Sequence, residues 1–443
     1  MSTSATILCG WKSMVWNIFR SAALAINIKS RMYTVASLNS GRILAYKIAT
    51  IQTWDYDYSR IRHECRNLKC IDERDYVYAI QGLLDPADIR LDITPDYSIE
   101  PSKLFTDVCS RIVTRSHNTG FLASCELLSI SLPNLPTWVP DWSCPMHAQG
   151  NLLTQWSACG WISAQAKHLS LGNGVLRVAG IQAAKVERVY YFGDGRRDAE
   201  FQDIIEALWQ FYKLGDAKAL DKPYVGGGTL LDACLRTLNM NGFDDNRFPV
   251  NKTYTNYSQV KQELLLAWKE EGSWDWDHYF QDRSSSSEDY EAFIRDGLIG
   301  RGIFCSSEGY MGLVPYGTRR GDIICVVLGC KVPIVLRRAL ADETQWEVVG
   351  ACYVEGLMNG EAIYGVLPNH YRAVRHTGKD PAIDAYKTAI LDNRTQTLKT
   401  DPAELLAEMG IHATRYQRDP HILEVAPEVL REAGVDLQDF DLI

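Results

Sequence analysis

The spacing of apolar positions changes along the chain, and each change predicts a different element. Between residues 72 and 84, Val77, Ile80, Leu83 and Leu84 fall at helical spacing, with Asp72 placed as N-cap and Asp75 at the third helical position. Gly82 lies near the end of this helix and Asp85-Pro86 forbids its continuation. A second helix is predicted over about 100–117, where Pro101 suits a first turn and Leu104, Val108, Ile112 and Val113 form one face. LASCELLSISL reads as a third apolar element, followed by LPTWVPDWS, residues 135–143. Residues 150–192 turn to alternation, with Gly172-Asn173-Gly174 as a turn between two strand-like runs. Residues 198–243 return to helical spacing, and Thr229 is placed to cap a helix after three glycines. Residues 251–300 are polar and helical, with DRSSSSED read as a solvated loop. From 301 to 365 the apolar runs are short and punctuated by Gly, and IICVVL reads as a strand buried on both faces. The closing APEVLREAGVDLQDFDLI predicts a short helix and a tail that docks back.

Together these elements predict an α+β fold, with a helical N-terminal half and a β-rich C-terminal module, an antiparallel sheet or small barrel. Three regions follow. Residues 1–55 form an atypical basic segment, 56–300 a mainly helical region with an Arg-Asp helix, a Trp latch and a β hairpin, and 301–443 the β-rich module.

Charge and composition narrow the function classes. Lys and Arg number 46 against 55 Asp and Glu, a net charge of −9 that gives no footprint for nucleic acid. No apolar run approaches the roughly 18 to 20 residues that span a bilayer. The 12 Cys have no regular spacing, and several sit in apolar runs as small hydrophobes, so the chain reads as reduced and cytoplasmic. The first 54 residues hold six basic residues and no acid, which makes a mitochondrial transit peptide a second reading of that segment.

The common catalytic and cofactor signatures do not occur. There is no G-x-S-x-G elbow, no H-E-x-x-H and no G-x-x-x-x-G-K-[ST], and no cofactor is implied. GGGT at 226–229 lacks a following Lys and reads as a capped loop. His63, Cys65 and Cys70 lack a second pair at zinc spacing, so no metal site is assigned. In LPTWVPDWS, Pro136 and Pro140 stiffen the backbone and Trp138 and Trp142 point to one side. The pair is either a rigid latch on the preceding helices or an aromatic ligand wall with Asp141 as its polar group. Arg74 is a candidate clamp for a carboxylate or for backbone carbonyls. Glu361, after a Gly turn at a strand end, is a candidate acid or base if buried, or an Arg partner.

DERDYVYAIQGLL, ITPDYS, LPTWVPDWS, GRGIFCSSEGYMGLVPYGTRRGD, VPIVLRR, VGACYVEGLMNGEA and GVDLQDFDLI form an ordered set. Jointly they resemble the fungal heterokaryon incompatibility (HET) domain proteins. The resemblance covers about residues 56–365 plus the tail. The family's N-terminal HET domain carries a pattern like A-L-S-Y-x-W-G, which this sequence does not show. HET domains are considered similar to TIR domains, some of which cleave NAD, and without that pattern the resemblance implies neither NAD cleavage nor cell-death signalling. Glu73 also replaces the family's usual Pro before Arg74.

The resemblance implies a HET-like protein without the effector domain, a regulator or remnant acting through protein contacts. The alternative is a cofactor-independent enzyme, an isomerase, cyclase or hydrolase of fungal secondary metabolism. Its site would group Arg74, Asp141 and Glu361 beside Trp138 and Trp142. Whether the partner is a protein or a small molecule stays open.

Overall fold

The computed structural model of the chain describes residues 6–9, 12–15, 18, 21–22, 69–81, 91–147, 156–164, 170–172, 174–192, 200–250, 255–269, 273–365, 370–376, 387–415 and 423–443. Most of the basic N-terminal segment, the predicted helix end at Gly82, and His63 and Cys65 fall outside them.

The helices used below are α1 (Asp75–Tyr78), α2 (Pro101–Ser116), α3 (Phe201–Tyr212), α4 (Leu230–Leu238), α5 (Tyr257–Ala267), α6 (Trp276–Asp282), α7 (Ser285–Gly297) and the single turn α8 (Glu361–Tyr364). Helix α2 starts on Pro101 and buries Leu104, Phe105, Val108, Ile112 and Val113 along one face. Helix α4 has the expected cap. The Thr229 side chain accepts from Asp232 N at 3.2 Å and Asp232 reaches back to Thr229 N.

Two local expectations are corrected. Asp72 does not cap a helix: its carboxylate holds Arg74 instead, through Arg74 N at 2.9 Å, Nε at 2.8 Å and Nη2 at 2.7 Å. The guanidinium outcompetes the helix amides, and the regular turn begins only at Asp75. SSSSED, expected as a solvated loop, is the start of α7. Ser284 caps it by accepting from Ser287 N. Glu263 on α5 takes hydrogen bonds from Ser284 N, Ser284 Oγ and Ser287 Oγ, and Ser287 is fully buried. Four Ser in a row look like a loop by composition, but their hydroxyls serve as cap and as inter-helix bonds.

The strands used below are β1 (Val175–Tyr191), β2 (Arg247–Phe248), β3 (Arg301–Ser306), β4 (Met311–Pro315), β5 (Ile323–Val327), β6 (Ile334–Arg338), β7 (Gln345–Ala351), β8 (Tyr353–Val354), β9 (Tyr371–His376), β10 (Lys387–Asp392), β11 (Thr397–Lys399) and β12 (Gln438–Leu442). Strand β1 pairs antiparallel with β5, β5 with β6, and β6 with β7. Strand β7 then runs parallel to β12, and β12 returns antiparallel to β1, which closes a five-stranded ring. This is a small barrel in the sense the Gly-punctuated strands implied, and closure removes the exposed edges of an open sheet.

The far half of the long β1 carries β3, β4 and β8 onward as a further antiparallel arm. The sheet therefore draws strands from both sides of residue 300. A second sheet, in the order β11, β10, β9, β2, brings Arg375 on β9 beside the end of α4.

Alternation serves two cores at once. Ile323, Cys325, Val327, Leu336, Trp346, Val348 and Phe440 join the large core with α2 and the Trp residues. Ile324, Val335, Val349 and Ala184 join a smaller one. Strand β5 is buried at every position, as the continuous run IICVV requires.

Candidate functional site

The sequence motifs turn out to be partners of one another. Arg74, held by Asp72, donates to the carbonyls of Tyr97 and Ile99 and lies 5.4 Å over the Tyr97 ring. Tyr97 in turn donates to Asp75 at 2.7 Å, and Tyr78 donates to the Asp96 carbonyl at 2.9 Å. The Arg-Asp turn and PDYS thus lock together. In the same way Arg337 of VPIVLRR forks onto Asp322 of the Gly-Asp turn, at 2.9 and 2.7 Å, and caps the Gly317 carbonyl.

LPTWVPDWS ties three parts of the molecule. Trp138 is 1% exposed, packs near Phe121 and donates from its indole N–H to the Gly174 carbonyl at 2.8 Å. Trp142 packs on Phe105 of α2 at 5.0 Å. Thr137 N donates to the Ile443 carbonyl at 2.8 Å, and the Thr137 hydroxyl accepts from Val348 N at 2.9 Å. Both indoles therefore lie in the large core beside the preceding helical elements.

Asp141 accepts from Ser131 N at 2.8 Å, Leu132 N at 3.1 Å, Ser143 N at 3.0 Å and the Ser131 and Ser143 hydroxyls. Burial works to raise its pKa, but the donors from Ser143, Ser131 and Leu132 outweigh it and hold the carboxyl below the ordinary range.

Arg74, Asp141 and Glu361 are not joined by any hydrogen bond or ion pair. Each is served by neighbours in its own motif. Glu361 lies elsewhere, at the start of α8, where Asn359 N donates to it at 2.6 Å and Asn359 Nδ2 at 3.0 Å. Burial raises its pKa against those bonds.

The residues around Glu361 make the most unusual electrostatic cluster described. Glu355, at the end of β8, takes a hydrogen bond from the Tyr353 hydroxyl. Burial pushes the Glu355 carboxyl up to about 7, against the pull of Tyr353, Arg236 and Arg375 and with added repulsion from Glu361. Arg236 on α4 forks onto Asp245 at 3.2 and 2.6 Å, donates to Asn241 and lies 4.2 Å over the Tyr257 ring. Arg375 on β9 stacks 4.0 Å over Trp156, whose ring meets Tyr353 at 5.4 Å. Tyr257 and Lys261 both bind Asp232, the residue that completes the α4 cap. Tyr310, also raised by burial, feels the charge of Glu361.

The backbone of this site is fixed. Glu355 N donates to the Met311 carbonyl at 3.0 Å, and its carbonyl accepts from Tyr224 at 2.8 Å. Gly356 has a φ of +84°, and a Cβ there would stand 2.7 Å from the Gly226 Cα. The GGG run thus brings a second loop into backbone contact with the EGLMNGE turn.

Sequence reasoning selected Glu361 but missed Glu355, Arg236, Arg375 and Tyr353. A signal was present: EGLMNGE sets two acids six residues apart around Gly356 and Gly360, both in the left-handed region. The arginines come from a helix and a strand far away in sequence and carried none.

Residues 253–365 match the family model described as the Het-6 beta-barrel domain. The match lies in the C-terminal region and agrees with a HET-related protein, the relation that the ordered motifs implied. It spans α5 to α8 and strands β3 to β8, whereas the ring is closed by β1 and β12 from outside it. No curated protein matches, and no solved structure does. Among the described residues, no helix is long and apolar enough to cross a membrane and no group of three His, Cys, Asp or Glu could hold a metal ion.

Proposed function

We propose that the chain is a regulatory or interaction protein related to fungal heterokaryon incompatibility, acting in the cytoplasm through contacts with another protein. The Het-6 beta-barrel match over residues 253–365 carries this reading. The surface of the matched region agrees with it, because Leu266, Phe280 and Phe293 on α5 to α7 leave large apolar side chains exposed. Expression of the chain in one of two otherwise compatible fungal strains is expected to lower heterokaryon survival. Leu266→Asp with Phe293→Asp, checked for folding by circular dichroism, is expected to restore it. Full survival with the folded wild-type chain present would contradict the reading.

One observation favours a second reading, a cofactor-independent enzyme of secondary metabolism. Glu355 and Glu361 both have raised pKa values, one of them near neutrality, as acid–base chemistry requires. Loss of a metabolite in both Glu355→Gln and Glu361→Ala strains, with protein levels unchanged, would support it, and an unchanged metabolite profile would dismiss it.

A further inference from the structure

Two surfaces of opposite charge are left uncovered by the chain. The N-terminal hairpin, Thr6–Cys9 paired antiparallel with Lys12–Val15, is a two-stranded sheet that no third strand joins among the described residues. Successive side chains of a strand point to opposite faces, and Met14 and Val15 are 45% and 54% exposed, so both faces of the second strand lie open. Ile18, just beyond it, is also exposed. A lone two-stranded hairpin is marginal in water and needs a surface to pack on. The sequence around it is basic, since residues 1–54 hold six basic residues and no acid. Across α6 and α7 the balance is reversed. Residues 275–297 carry seven carboxylates against Arg283 and Arg295. Phe280 stands in this field, 38% exposed, held by Trp276 stacked at 6.0 Å and by Arg283 4.9 Å over its ring. Asp277, one helical turn before Phe280, is exposed, as are Asp282, Glu288 and Asp289. Asp282 pairs with His278 and Glu288 with Arg283, whereas Asp277 and Asp289 form no ion pair among the described residues.

We propose that the N-terminal hairpin packs on the α6–α7 face of a second copy of this chain, and that the exchange is reciprocal and gives a closed dimer. Two observations select this occupant. Met14, Val15 and Ile18 stay exposed in the single chain, so their cover comes from another molecule. The α6–α7 face supplies what the hairpin lacks. Its aromatic side chain is fixed before contact, so little rotamer entropy is lost there, and its carboxylates meet the basic surroundings of the hairpin. A one-way contact between two unlike surfaces runs on into rings or filaments, and reciprocal exchange is the form that closes at two copies. Phe280 is the one residue shared with the surface used in the functional reading. The oligomeric state is measured without a heterokaryon, so either reading can fail while the other stands.

Sedimentation velocity of the full chain, its N-terminus verified by intact mass, over about 1 to 100 μM protein tests this. A concentration-dependent dimer of the 50.0 kDa chain is expected, weaker in about 0.5 M salt than in about 0.05 M. Phe280→Asp, and separately Met14→Asp with Val15→Asp, each shown to fold by circular dichroism, are each expected to weaken the dimer at least about tenfold. Asp277→Lys with Asp289→Lys is expected to do the same. Glu432→Lys with Asp436→Lys, an equal change of charge on exposed residues of the C-terminal segment, is expected to leave it unchanged. Mixing the Phe280 variant with the hairpin variant brings together one intact hairpin and one intact face, and the mixture is expected to associate more tightly than either variant alone. A monomer at every concentration would overturn the proposal. So would a dimer that survives Phe280→Asp, which would set the hairpins against each other, an equal loss in the Glu432 and Asp436 control, or a mixture no tighter than its parts.

Discussion

Asp141, buried in LPTWVPDWS, and Glu355, half-buried in the turn between β8 and α8, are both carboxyl groups, yet their surroundings drive them apart. Asp141 sits in a turn whose amides and hydroxyls converge on it, and it stays ionised below the ordinary carboxylate range. Glu355 has one tyrosine hydroxyl, and burial lifts it to about 7. Desolvation acts on both, and more strongly on Glu355. Donors outweigh desolvation at Asp141 and do not at Glu355, and a carboxyl with a raised pKa is the kind of group that acts on something outside the protein. Asp141 is structural by that test, while Glu355 and Glu361 are the groups left with capacity.

Substitutions should separate the two regions. The largest effect is expected at the latch. Trp138→Ala removes a buried indole and its bond to Gly174, and urea unfolding should show a loss of about 4 kcal/mol. Next comes Asp141→Ala, which strands the amides of Ser131, Leu132 and Ser143. A loss of about 3 kcal/mol at pH 7 is expected from the same measurement. Because its folded pKa is depressed, the contribution of Asp141 is complete above the unfolded value of about 3.9 and disappears as pH falls through the folded one. Wild-type and Asp141→Asn stabilities should therefore converge in acid.

Glu355 should behave in the opposite sense. Its folded pKa of about 7 exceeds the unfolded value of about 4.3, so the folded state holds the extra proton and stability falls as pH rises between those values. Glu355→Gln should gain about 2 kcal/mol at pH 8 and nearly nothing at pH 4, read as paired thermal melts. A destabilised Glu355→Gln at pH 8 would place the residue with Asp141 and end the contrast. The smallest effect is expected for Arg74→Ala, a slight global loss of stability, because its pair with Asp72 is partly exposed. Hydrogen exchange over residues 95–99 should rise more than the global loss implies, since the Arg74 fork holds that loop.

Much of this fold was legible because local chemistry and tertiary packing agree in it. Pro101 and the Leu104 to Val113 stripe announce α2, Thr229 announces α4, and the unbroken IICVV run announces a strand buried on both faces. Closure of the ring was not legible in full. The strand Gln438–Leu442 reads as a tail because Asp439 and Asp441 interrupt it, and its partners on β1 and β7 are long-range. The Ser284–Ser287 cap was hidden for a related reason: its acceptor, Glu263, belongs to another helix. The candidate site divides along the same line. Glu361 showed itself by its place after a Gly turn. Arg74 and Asp141, grouped with it by sequence, find their hydrogen-bond partners within the interlocked motifs. Glu355 takes its character from Arg236 and Arg375, which only the folded chain brings near.

The most direct measurement is a pH titration of the Glu355 carboxyl by NMR of the chain labelled with carboxyl-¹³C glutamate, assigned by the signal lost in Glu355→Gln. A midpoint near 7, with a smaller upward displacement at Glu361, is the expected result. A Glu355 midpoint in the ordinary range near 4.3 would contradict the contrast drawn between Glu355 and Asp141.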